Sequence, residues 1–180
     1  NPSEYVNQKF KTKEQIFKKK DLQNHIFAIF PHIYFDTPAF KGADIYKNYR
    51  DWFEKTIIFI LKNTNSNIII KDHPHNLVKY ENYNQEFKSP VKFFLDRLDP
   101  KYKNRHIYLA PSTKISALNI IEISECILTV RGTVGVEASL LGKPVIFAGY
   151  GRYNGYGFGI FPDTVEEHQE LLLKFSKKNN

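Results

Sequence analysis

The chain of 180 residues has no methionine and one cysteine, and each scarcity narrows what it can be. With one thiol, Cys126, an internal disulfide is excluded. Inside the apolar run CILTV this thiol reads as a buried, inert side chain, which fits a reducing, cytoplasmic setting. Without methionine, and with Asn1 as its first residue, the chain reads as a piece of a larger protein. No apolar run approaches the roughly 18 to 20 residues that crossing a bilayer takes, and the basic N-terminus lacks the apolar segment of a signal peptide. The expectation is therefore a cytoplasmic protein, at most peripheral at the inner membrane. Glycine is also scarce, and seven of the nine lie between Thr129 and Phe158.

What is present belongs to a folded protein. Hydrophobic residues at 42% and aromatics at 15% supply enough apolar surface for a core, and the length suits one domain. The formal charge of +7 invites a nucleic-acid reading. Much of the excess, however, sits in KFKTKEQIFKKK and in the KFSKKNN end, which read as solvated tails with an anionic membrane surface as the alternative contact. Nucleic acid is not the expected partner.

Periodicity divides the chain into residues 1–24, a basic linker or packing helix, and residues 25–180, a single α/β domain. HIFAIFPHI from His25 has strand length and is followed by a Pro, Gly and Asp loop. In IYKNYRDWFEKTIIFILKN, the residues Tyr49, Trp52, Phe53, Thr56, Ile57, Ile60 and Leu61 recur at helical spacing. NIIIK is a second strand, ended by DHPHN because Pro74 holds His73 extended. A short helix at PVKFFLDRL, strands at HIYLA, CILTV and KPVIFAG, and a helix GTVGVEASLLG stopped by Gly142 complete the alternation. A last amphipathic helix starts near Asp163, the expected cap. The pattern predicts a Rossmann-like, mostly parallel sheet of about five to six strands with helices on both faces.

In such sheets the ligand lies off the C-terminal ends of the strands, where the unusual residues of this sequence collect. Arg131, Gly132, Thr133 and Gly135 form the turn from the fourth strand into its helix, where small residues open free N–H groups and the helix dipole to an anion. The spacing is neither that of a phosphate-binding Walker loop nor that of a dinucleotide fingerprint, so a merely tight turn stands beside a phosphate site. Glu137, one turn into that helix, either accepts two sugar hydroxyls or complements the dipole. Lys71 and His73 at the second strand tip can neutralise a phosphate or protonate a leaving oxygen, or His73 merely hydrogen-bonds across its loop. His73 and His75 lack further ligands at metal spacing, so no metal is expected. His32 and Asp36 after the first strand form either a base and its orienting partner or a turn. Tyr153, in the Gly and Tyr stretch YGRYNGYGF, belongs to a loop expected to close over a ring-shaped ligand. A single-strand nucleic-acid platform is the alternative there.

The motifs KDHPHN and RGTVGVEASLLGKPVIFAGYGRYNGYGF, at this spacing, resemble bacterial capsule and surface-polysaccharide biosynthesis proteins, including the Kdo transferases of capsule assembly. The resemblance runs from about Phe27 to Phe158. It implies the C-terminal, donor-binding half of a GT-B glycosyltransferase, with a nucleotide-sugar, a CMP-sugar in preference, as substrate and no cofactor. It further implies a glycan or glycolipid acceptor and a missing N-terminal acceptor domain. Carried over, Lys71 and His73 contact the donor phosphate, Gly132 and Thr133 offer it backbone N–H groups, Glu137 takes the ribose, and Ser112 and Thr113 read the base. Asp72 stands where the family pattern has a small residue, which sets a carboxylate beside the phosphate position. The same half-fold also occurs in nucleotide-sugar epimerases and glycerophosphate transferases, and a catalytically silent binding module is the alternative outside the enzymes.

Overall fold

In the computed structural model, residues 17, 23–33, 45–77 and 89–177 are described. The expected linker or packing helix over 1–24 therefore lies almost wholly outside the described residues, as does the loop after the first strand. Phe17 alone of that segment is seen in the core, at 5% exposure.

Five parallel strands make one sheet: β1 (Ile26–Ile29), β2 (Asn67–Lys71), β3 (His106–Leu109), β4 (Cys126–Thr129) and β5 (Val145–Phe147). Their order is β3-β2-β1-β4-β5. The β-branched run NIIIK is β2 itself, and its isoleucines are buried on both faces of the sheet, as a strand covered by helices on either side requires. Alternate residues feed two separate cores. Phe27, Ile29, Ile68, Ile70, Cys126, Leu128 and Ile146 face one, and Ala28, Ile69, Ile127, Val145 and Phe147 face the other.

The first core is closed by helices α1 (Tyr49–Asn63), α2 (Pro90–Leu95) and α5 (Val165–Phe175); α3 (Ala117–Ile123) and α4 (Thr133–Leu140) close the second. Helix α1 buries Tyr49, Trp52, Phe53, Thr56, Ile57, Ile60 and Leu61, the face its spacing predicts. Its β-branched residues cost a few tenths of a kcal/mol each in helix propensity. Full burial of each large apolar side chain returns about 1.5 to 3 kcal/mol, so packing decides the conformation. Asn48 caps its start by accepting from the Asp51 N–H, and the Arg105 guanidinium closes its end by donating to the Leu61, Thr64 and Ser66 carbonyls.

The cap of the last helix differs from the sequence expectation. Thr164, not Asp163, caps α5 by accepting from the Glu167 N–H at 3.1 Å. Asp163 is drawn off by the Tyr150 hydroxyl, while its own N–H donates to the Glu167 carboxylate.

Candidate functional site

The chain runs outward from β1 in both directions, so β1 and β4 are neighbours in the sheet whose following loops diverge. A crevice opens at that switch point, beyond the carboxyl ends of the strands. A pocket of about 410 Å³ occupies it. Its walls are Phe30, Pro31 and His32 after β1, Lys71 to Pro74 after β2, Ala117 at the start of α3, and Thr129 to Glu137 around the start of α4, Val130, Gly135 and Val136 excepted.

The start of α4 is open for a stereochemical reason. Gly132 is its N-cap, has no side chain, and leaves the first turn without a side-chain acceptor. Its own N–H is held by Thr129 Oγ1 at 3.3 Å, and a Cβ added there would sit 2.9 Å from that oxygen. The positive end of the helix therefore borders the pocket, as an anion site requires. Gly135 serves a different purpose. A Cβ on it would lie 2.3 and 2.5 Å from the Phe147 ring, so its bare backbone lets α4 settle on β5 rather than admitting a ligand.

Lys71 closes β2 at the pocket wall, where burial lowers its pKa and the neighbouring Asp72 opposes that drop. Among the described residues it has no ion-pair partner. Asp72 is on the pocket wall, as the sequence suggests, but its carboxylate is engaged by the protein. It is fully buried, and both carboxylate oxygens are occupied: Oδ1 accepts from the His73 N–H and the Asn76 amide, Oδ2 from the Ser89 and Tyr108 hydroxyls. These four donors spread its charge over protein dipoles and make it the anchor of the His73-Pro74 tip.

His73 accepts the His75 N–H at its Nδ1, 3.1 Å away, and His32 accepts the Ile33 N–H at its Nδ1, 2.9 Å away. The His32 ring also stacks on Tyr49 with centroids 4.4 Å apart. Arg131 is half-buried. Its Nε donates to the Tyr150 carbonyl at 2.8 Å and its Nη1 to the Tyr49 hydroxyl at 3.4 Å. It thereby joins the pocket wall to the glycine-rich stretch. That stretch is tied down: Ile160 exchanges hydrogen bonds with Val145 and Phe147, and the Ser139 hydroxyl donates to the Phe158 carbonyl.

Of the residues singled out from the sequence, His32, Lys71, His73, Arg131, Gly132, Thr133 and Glu137 line this one pocket. Ser112 and Thr113 do not; they lie in the turn after β3, where the Thr113 N–H donates to the Ala110 carbonyl. Tyr153 lies in the turn over 152–157, half-buried and off the pocket wall. Asp36 lies outside the described residues. Sequence reasoning passed over Tyr49, whose helical spacing marks it as core while its ring braces His32 and its hydroxyl meets Arg131. It also passed over the apolar walls Phe30, Ala117 and Val134, ordinary core types with no distinguishing signal. No group of three or more His, Cys, Asp or Glu able to hold a metal occurs among the described residues.

A doubly wound parallel sheet with a pocket at its switch point, lined by a lysine, two histidines and an uncapped helix start, defines a Rossmann-like α/β protein. More narrowly, the chain belongs to the capsule polysaccharide biosynthesis protein family, whose sequence pattern matches residues 6–168. Two solved structures share the fold. Thermosulfurimonas dismutans KpsC, beta Kdo 2,4 transferase, superposes with a TM-score of 0.51 at 18% identity, over 88% of this chain and 41% of that one. The beta Kdo 2,7 transferase of KpsC from the same organism gives 0.51 at 17% identity, over 86% of this chain and 45% of that one. This chain thus spans less than half the length of either. No curated protein sequence matches it. No helix among the described residues is long and apolar enough to cross a membrane.

Proposed function

We propose that this chain is the donor-binding portion of a GT-B glycosyltransferase of capsule polysaccharide synthesis, and that its pocket takes the phosphate and ribose of a CMP-activated sugar such as CMP-Kdo. The observation that carries the reading is the meeting of Lys71, His73 and the uncapped start of α4 in one pocket at the switch point. Membership of the capsule family and a fold shared with two proteins titled Kdo transferases support it.

In transfer, the bond from the anomeric carbon to the phosphate oxygen breaks, and its electron pair stays on that oxygen. An acceptor hydroxyl oxygen forms the new bond and gives up its proton, in the net reaction to solvent. The charge that grows on the phosphate is met by Lys71, by His73 and by the first N–H groups of α4, all in place before the reaction. Glu137, on the pocket wall one turn into α4, is suited to accept from the ribose hydroxyls. The acceptor side is assigned to the part of the transferase that this chain does not span.

A thermal-shift series with CMP, CDP, UDP, GDP and their sugars, on wild type and His73→Ala, tests the reading. Stabilisation by the cytidine nucleotides that His73→Ala abolishes is the expected result. No shift with any nucleotide at millimolar concentration overturns it.

A further inference from the structure

Lys71 and Asp72 are neighbours in the chain, yet the sheet sends their side chains to opposite faces. Lys71 is in register with Leu109, a residue of the second core, and alternation along β2 groups it with Ile69 of that same core. Ile70, and Asp72 beyond it, turn to the first face, where the Ser89 and Tyr108 hydroxyls donate to the Asp72 carboxylate. The second face is the one that α3 and α4 cover. Ala117 and Val134, from the starts of these two helices, pack on its core and line the pocket together with Lys71.

The consequence is a half-buried lysine without a counter-charge. The adjacent carboxylate of Asp72 accepts from four donors, and Lys71 is not one of them. Glu137, also on the pocket wall, forms no ion pair with it, and neither does any other acid among the described residues. An ammonium drawn partly out of water and left unpaired gives way to the neutral amine. Burial accordingly lowers the Lys71 pKa, against the opposing pull of Asp72. The neutral amine is the nucleophile that attacks carbonyl carbon, and here it faces a pocket that also takes in the start of α4.

We infer that the Lys71 Nζ forms an imine with small aldehydes that carry a phosphate, and that this reversible modification closes the pocket to the sugar donor. The Nζ lone pair adds to the aldehyde carbon, and the amine gives up two protons as the carbonyl oxygen leaves in a water molecule. A carbon–nitrogen double bond remains, and water reverses the reaction. The phosphate of the aldehyde takes the place at the start of α4 read above as that of the donor phosphate, so the inference rests on that part of the nucleotide reading. It adds to the pocket a covalent class of ligand.

Pyridoxal 5′-phosphate is the probe, with borohydride to reduce the imine to a stable amine and peptide mass spectrometry to locate it. Lys71 should carry at least about fivefold more label than the exposed Lys62 of α1. Inorganic phosphate and CMP should each suppress that label, and pyridoxal, the same aldehyde without phosphate, should show no preference for Lys71. Lys71→Arg should lose the label while Lys62 is labelled as before. Lys71 labelled no more than Lys62 overturns the inference, whatever the nucleotide thermal-shift series shows. A preference for Lys71 that pyridoxal reproduces overturns it as well, because the phosphate then plays no part. Label that persists in CMP, although CMP raises the thermal midpoint, overturns the competition with the donor. Label suppressed by inorganic phosphate, in a chain that no nucleotide stabilises, upholds the imine site and overturns the nucleotide reading alone.

Discussion

The Tyr108 hydroxyl donates to Asp72 Oδ2 at 2.8 Å, joining β3 to the residue just beyond the end of β2. Burial, reinforced by the neighbouring carboxylate, pushes the Tyr108 pKa well above its ordinary value, so this hydroxyl remains a donor at every pH the fold survives. Asp72 is thus the point through which the second strand, the third strand and Ser89 at the start of α2 fix the position of His73. Asp72→Ala would leave four donors short of an acceptor, two of them buried and two half-buried, and should lower the unfolding free energy by about 3 kcal/mol, read from chemical denaturation. Asp72→Asn keeps one acceptor oxygen and should lose less. A denaturation midpoint unchanged by Asp72→Ala would contradict the anchoring role.

Gly135 and Gly142 make opposite demands on their surroundings. A methyl on Gly135 meets the Phe147 ring, whereas a methyl on Gly142 meets nothing within 4 Å, but the backbone there has φ +73°. Gly135→Ala should cost about 1 to 3 kcal/mol through overpacking. Gly142→Ala should cost about 1 kcal/mol through left-handed backbone strain. The added change Phe147→Leu separates the two causes. It should recover part of the loss in Gly135→Ala and none of it in Gly142→Ala, a coupling that a double-mutant cycle on thermal or denaturant stability measures.

These glycines also show where the sequence was legible and where it was not. The buried face of helix α1 and the bounds of strand β2 could be read to the residue because burial acts through spacing: seven side chains on one helix face, and one unbroken β-branched run. Gly142 could be read because a helix stop is local. Gly135 looked like part of an anion loop, since spacing along the chain says nothing of the Phe147 ring that arrives from β5. Spacing equally hid what holds the Asp72 carboxylate at the pocket wall: Ser89 and Tyr108 reach it from 17 and 36 residues away. That Lys71, His73 and Gly132 would line one pocket was legible because strand tips in a doubly wound sheet converge wherever their sequences lead. Ser112 and Thr113 also follow a strand, but β3 is an edge strand, two places from the switch point.

His168 supplies a pH dependence whose direction follows from burial. Its Nδ1 meets the Tyr46 hydroxyl at 3.0 Å, its Nε2 is buried without a partner among the described residues, and burial lowers its pKa from 6.5 to about 4. Between those two values the unfolded chain binds the extra proton and the folded one does not. Stability therefore rises with pH over that window, is complete above about 6.5, and is lost as pH falls toward 4, by about 3 kcal/mol in all. The double variant Tyr46→Phe with His168→Leu removes the titrating group and the hydroxyl that would otherwise be orphaned. Its unfolding free energy between pH 6.5 and 4 should fall less steeply than that of wild type. Equal slopes would mean that the carboxylates, not His168, set the acid limit.

Arg131 holds two things at once, and lysine can hold only one. The planar guanidinium reaches the Tyr150 carbonyl through Nε and the Tyr49 hydroxyl through Nη1, and its aliphatic stem lies 3.5 Å from where a Gly151 Cβ would stand. An ammonium keeps the charge but not the fork. Arg131→Lys should therefore leave the thermal midpoint within a few degrees of wild type, because the cores on both faces of the sheet are untouched. Amide exchange across Gly151 to Gly159 should rise by about tenfold, the equivalent of one lost hydrogen bond. Mass-spectrometric exchange at peptide resolution reads this directly, with α1 as the internal reference. If the 151–159 amides exchange at the wild-type rate in Arg131→Lys, the Ser139 bond and the Ile160 bridge to β5 suffice to hold the stretch, and Arg131 is left to the pocket alone.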